Sequence, residues 1–229
     1  MRMLLQIVEG GTLPTDSLST STDSGLGAID LIFNGGVVMI PIALLGLIAI
    51  YLTIERYLTI KKAGVLDSKF MGGIKEMVLE GDIRGAQRLC HNKATPIALM
   101  IEKGLSRIGK PLKDISVAVE NVGKLEVYKL EKGMPILATI AGAAPMLGFL
   151  GTVTGMMRTF RELQENAEQI TADLLSGGIG EAMTTTVAGL VVGIFAYIAY
   201  NLLSASINKV VYKMENSSVE FLDILHEPA

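Results

Sequence analysis

Three stretches of the chain, 31–54, 134–157 and 182–207, carry no charged side chain. A helix rises about 1.5 Å per residue, so roughly 20 apolar residues cross the hydrocarbon core of a bilayer. Each stretch exceeds that. The pattern predicts an all-α integral membrane protein with three transmembrane helices. It divides the chain into an external arm (1–30), span one (31–55), a helical cytoplasmic domain (56–133), span two (134–159), an external hairpin (160–178), span three (179–207) and a cytoplasmic tail (208–229). Inside the long polar interval, Gly72–Gly73, Gly81, Pro96, Gly109 and Pro111 read as breaks between short helices. From Leu112 to Lys132 the residues Ile115, Val119, Val122, Leu125, Val127 and Tyr128 recur at threes and fours, which predicts an amphipathic helix. A break near Gly133 leads into span two, with Pro135 in the first turn, where its missing N–H costs least.

Charge orients these elements. Half the residues are apolar, 19% are charged and the formal net charge is -3. The interval 55–133 holds fifteen of the 20 basic residues, and Arg56, Lys61 and Lys62 directly follow span one. Basic residues stay on the cytoplasmic side, so the N-terminus and the 158–181 hairpin are expected outside, and the tail, with Lys209 and Lys213, inside. Met3–Val8 is too short for the apolar part of a signal peptide. Residues 10–28 read as a flexible Gly/Ser/Thr-rich arm, with a short helix near Ala28–Phe33. The lone cysteine, Cys90, is expected as a free thiol, and Cys90–His91 is too little for a metal site.

The spans differ in texture. Span one is apolar around most of its circumference, as a lipid-facing helix is, with Gly35–Gly36 and Pro41 near its outer end. In span two, Pro145, Gly148, Thr152, Gly155 and Thr159 are spaced by threes and fours, and Gly151 and Gly155 form a G-x-x-x-G pair. In span three, Ala182, Thr186, Gly189, Gly193, Ala196 and Tyr200 make a similar stripe. Small residues allow membrane helices to approach closely, and packing alone accounts for the glycines. Thr152 lies about 9 Å along the axis from Arg158, and Thr186 about 7.5 Å from Glu181, so the two are at matched depth. A threonine can satisfy itself on its own helix; alternatively, these two line a polar seam with Thr154 and Thr185. Glu181 borders span three. It is either an interfacial carboxylate favouring a helix N-terminus or a proton-accessible acid in partial burial. Glu181 and Thr186 stand about 140° apart on an ideal helix, so they need not share one seam. No carboxylate lies within the charge-free stretches, so a buried acid for proton transfer would have to come from another protein.

The runs Leu137–Met156 (LATIAGAAPMLGFLGTVTGM) and Gly178–Asn201 (GIGEAMTTTVAGLVVGIFAYIAYN) resemble the second- and third-span signatures of the MotA/TolQ/ExbB proton channel family. One span, a long basic segment and two further spans match the ExbB/TolQ branch, with ExbB the first expectation. The resemblance implies an inner-membrane homopentamer whose second and third spans surround a pore. An ExbD-like partner would supply a transmembrane aspartate, and proton flow would energise a TonB-like protein for uptake across the outer membrane. It also implies that Thr152 and Thr186 are pore-lining hydroxyls, that Glu181 is the family's third-span glutamate, and that Pro145 holds the signature proline position. The alternatives are a TolQ-like subunit working with TolR and TolA, or a non-conducting scaffold. No cofactor or metal is implied. An enzyme is not expected, since no nucleophile–base pair, metal-ligand spacing or phosphate loop occurs. Nucleic-acid binding lacks a basic patch with interleaved aromatics.

Overall fold

The computed structural model describes residues 36–64, 68–165 and 172–226. The expected external arm, the expected short helix near Ala28–Phe33 and residues 166–171 of the expected hairpin lie outside the described residues. Seven helices are described: α1 (Gly36–Ala63), α2 (Ser68–Leu79), α3 (Ile83–Lys93), α4 (Pro96–Leu105), α5 (Leu112–Glu131), α6 (Met134–Glu165) and α7 (Ala172–His226). Three helical stretches, containing α1, α6 and α7, are long and apolar enough to cross a membrane. The protein is a multi-pass, all-α membrane protein with a substantial helical domain between its first two spans.

The helices of that domain end where their sequence allows. Gly81 turns the chain with φ +79°, and the Asp82 side chain caps α3 by accepting from the Gly85 N–H at 2.9 Å. Thr95 caps α4, which has Pro96 in its first turn. Gly109 takes φ +91° and Pro111 precedes α5. Gly72 and Gly73, expected as a break, lie instead inside α2. Burial of Phe70, Met71 and Ile74 on one face outweighs the weak helix propensity of two glycines. The buried stripe of α5 runs Ile115, Ala118, Val119, Gly123, Glu126, Leu130. Leu125 and Tyr128, expected on that stripe, are 61% and 74% exposed. Gly123 takes the inward position because Met100 lies against it: a Cβ there would sit 3.0 Å from the Met100 methyl.

Two joints set the domain against the spans. Gly133, at φ +84°, separates α5 from α6, and the amide N–H of Ile136 donates to its carbonyl at 3.2 Å. Arg56, buried near the end of α1, donates Nη1 to the Lys129 carbonyl at 3.1 Å, close to the α5 C-terminus. A cation suits that end of a helix. Arg56 Nε also donates to Glu55 at 2.6 Å, and Lys129 pairs with the buried Glu126 at 2.6 Å.

One helix runs through span three and beyond both of its expected ends. α7 runs 55 residues without a break, about 80 Å. The expected tail at 208–229 is helical as far as His226, because Val210, Met214, Ser217, Phe221 and Ile224 continue a buried stripe at helical spacing. Phe221 is fully buried, against Gly104 and Val119. Much of the expected hairpin is likewise helical: α6 continues to Glu165 and α7 starts at Ala172.

Candidate functional site

The α6–α7 pair is built from glycine. A Cβ on Gly148 would lie 2.9 Å from the Thr185 carbonyl, one on Gly155 2.9 Å from Ala182 Cβ, and one on Gly189 2.5 Å from the Ala144 carbonyl. Gly193 meets the Pro145 ring at 2.5 Å by the same measure, and a Cβ on Gly151 would strike the Thr185 hydroxyl. Backbones in direct contact are what a stripe of small residues permits in a membrane, where lipid supplies no hydrophobic drive to associate.

Thr185 and Thr186 sit at this contact, and Thr152, Thr154 and Thr159 lie along α6. Thr185, fully buried, donates to the Ala182 carbonyl at 2.7 Å, with the Gly148 carbonyl at 3.4 Å. Thr186 reaches across the helices and donates to the Gly148 carbonyl at 3.0 Å. Thr152 donates to Phe149 O at 2.6 Å, and Thr154 to Leu150 O at 2.9 Å. Thr159, nearly fully buried, donates to Gly155 O at 3.0 Å. Each hydroxyl proton is thus committed to a backbone carbonyl. A hydroxyl oxygen so engaged keeps acceptor capacity.

The structure sorts the sequence-derived residues into two places. Thr154, Thr185 and Glu181 line one cleft of about 190 Å³, together with Gly151, Gly155, Arg158 and Gly36–Val38 of α1. Thr152 and Thr186 do not line it. Glu181 was weighed as a carboxylate at the N-terminus of its own helix, but α7 begins nine residues earlier, at Ala172. Its carboxylate lies instead beside Gly36, at the start of α1. Gly36 has φ +63°, and a Cβ there would collide with Glu181 Oε1, so glycine is required on both counts. Arg158 Nη1 stands 3.6 Å from Glu181 Oε1, with the carboxylate about one third exposed. Sequence reasoning singled out neither Arg158 nor Gly36 as a site residue. Their signals were slight: one arginine at a span border and one glycine of a Gly35–Gly36 pair. Among the described residues no group of three or more His, Cys, Asp or Glu is placed to hold a metal.

A family model described as the MotA/TolQ/ExbB proton channel family matches residues 92–216. That is more than half of the chain, and the chain belongs to this family. The chain is 29% identical to biopolymer transport protein ExbB-like 1 of Synechocystis sp. over 76% of its own length and 70% of the relative's. It is 28% identical to an ExbB homolog of Methanothermobacter thermautotrophicus over 82% of its length and 66% of the relative's. To the Tol-Pal system protein TolQ of Haemophilus influenzae it is 40% identical, over 45% of each chain. The chain therefore spans about two thirds of the ExbB-like relatives and under half of that TolQ. It is a membrane protein of proton-channel type and not an enzyme.

Proposed function

We propose that this chain is the channel-forming subunit of a proton-driven inner-membrane motor of TolQ type. Several copies, five by family resemblance, would surround the transmembrane helix of a TolR- or ExbD-like partner that carries an aspartate. The observation that carries the proposal is the set of threonines on α6 and α7, Thr152, Thr154, Thr185 and Thr186, whose protons are all engaged by backbone carbonyls. Such oxygens can accept a hydrogen bond but cannot donate one without breaking another. They suit a protonated carboxylic acid, which donates, and not a carboxylate. A partner aspartate beside them would be favoured neutral, and in that form it could pass an apolar sector closed to a charge. The lysine-flanked ends of spans one and three would face the cytoplasm, and the Glu181–Arg158 cleft would face outward. One proton falling through 100 mV releases about 2.3 kcal/mol.

Local identity supports TolQ over ExbB. Over segments of similar size the chain is 40% identical to TolQ of Haemophilus influenzae and of Pseudomonas aeruginosa, against 33% to exbB1 of Vibrio cholerae. An ExbB-like role energising TonB with ExbD is supported by a different observation: the ExbB-like relatives align with more of the chain. Deleting the gene separates the two. Loss of envelope integrity is the TolQ outcome, and loss of energised outer-membrane uptake with an intact envelope is the ExbB outcome. For the channel itself, Thr152→Val and Thr186→Val are expected to assemble normally with the partner and to abolish proton flux in proteoliposomes. Wild-type flux in both variants refutes the pore assignment.

A further inference from the structure

A second cleft, of about 280 Å³, lies between α1 and α7 at the opposite end of the spans, lined by Tyr57, Ile60, Lys61, Gly64, Leu203, Ser206, Lys209, Val210 and Lys213. The charge-free stretches of spans one and three end at Ile54 and Ile207, so the cleft straddles the boundary where hydrocarbon gives way to headgroups. Its lining combines the apolar Ile60, Leu203 and Val210 with three lysines. Lys213 Nζ donates to the Gly64 carbonyl at 3.1 Å, which fixes it over the end of α1, and Lys61 Nζ stands 6.0 Å from the Tyr57 ring centroid. Among the described residues none of the three is ion-paired with a carboxylate. Ile54, Leu58 and Leu202, close in sequence to the lining residues, are exposed.

We infer that this cleft is a binding site for the phosphate headgroup of an anionic phospholipid in the lysine-flanked leaflet. Three lysines lining one cleft without a carboxylate partner favour an anion there. The apolar lining residues Ile60, Leu203 and Val210 suit the acyl chains of the same molecule and offer nothing to a free ion. Basic clefts between transmembrane helices at the headgroup level are the arrangement that takes charged lipid headgroups. A lipid held there would tie the ends of α1 and α7 together beside the helical domain.

Native mass spectrometry of the purified protein tests this. Phosphatidylglycerol should be retained at least about ten-fold better than phosphatidylethanolamine with the same chains. Each of Lys61→Gln, Lys209→Gln and Lys213→Gln should weaken retention about five-fold, and the triple variant on the order of a hundred-fold. The triple Lys→Arg variant should restore it. Ser206→Leu, which fills the cleft and leaves the charges in place, should also release the lipid, and it keeps the test alive if the triple glutamine variant fails to fold. Equal retention of the two lipids, or wild-type retention in Ser206→Leu, overturns the site. Displacement of the lipid by millimolar inorganic phosphate assigns the cleft to a free anion and overturns the lipid reading.

Discussion

Cys90 illustrates how much one side chain is governed by its surroundings. It is fully buried in α3, and burial, with a smaller contribution from the Glu102 charge, pushes its thiol from 9.0 up to about 12. The thiolate is the reactive form, so Cys90 is inert in the folded protein. The sign of the pH effect follows. As pH rises past about 9 the unfolded chain loses this proton first, while the folded protein keeps it until about 12. Stability present below pH 9 therefore declines between those limits. Denaturant unfolding from pH 7.5 to 10.5, a range set by that window, should show the decline in the wild type. Cys90→Ala should flatten it, at some cost in overall stability from the lost core volume. A maleimide should label the thiol only after unfolding.

At the scale of elements, the α6–α7 contact is the part least tolerant of added atoms. Gly189→Val would place a branched side chain where a Cβ already lies 2.5 Å from the Ala144 carbonyl and 2.9 Å from Gly148 Cα. Overpacking of this kind costs about 1–3 kcal/mol, and here the neighbours are backbone and cannot swing aside. Gly180, with nothing within 4 Å, is the control: Gly180→Ala should be neutral or stabilise the helix by up to about 1 kcal/mol. Thermal unfolding in detergent distinguishes the pair. The helices themselves were largely legible in the sequence. Charge-free runs marked the spans, and Gly81, Pro96, Pro111 and Gly133 marked ends that the helices respect. The continuation of α7 past Ile207 was not, because Lys209 and Lys213 read as the edge of a span, while the stripe through Met214 and Phe221 declares itself only once α4 and α5 are there to cover it. The candidate site was half legible. Thr185 and Glu181 stand out in sequence as polar groups at a span border. Gly36 and Arg158 join Glu181 only through the way α1 lies against α6 and α7, a contact no local pattern encodes.

Across the whole molecule, α7 links the Glu181–Arg158 cleft to the helical domain as one element, with Glu181 toward one end and Phe221 seated against Gly104 toward the other. Asn216→Pro would remove a helix hydrogen bond and clash with the preceding turn, at about 3 kcal/mol. Hydrogen exchange should then rise sharply over 217–226 and stay slow over 182–207. Equal protection in both segments would show that the two halves of α7 hold together by other means. The meshing of glycines carries a consequence for where ions can travel. With Gly148 and Gly189 all but touching, no thread of solvent fits between the last two spans of a single copy, since a water molecule is about 2.8 Å across. Isolated protomers should accordingly leave liposomes tight, and leakage should begin only when neighbouring copies, or a copy and its partner, enclose a passage on faces that one copy leaves open.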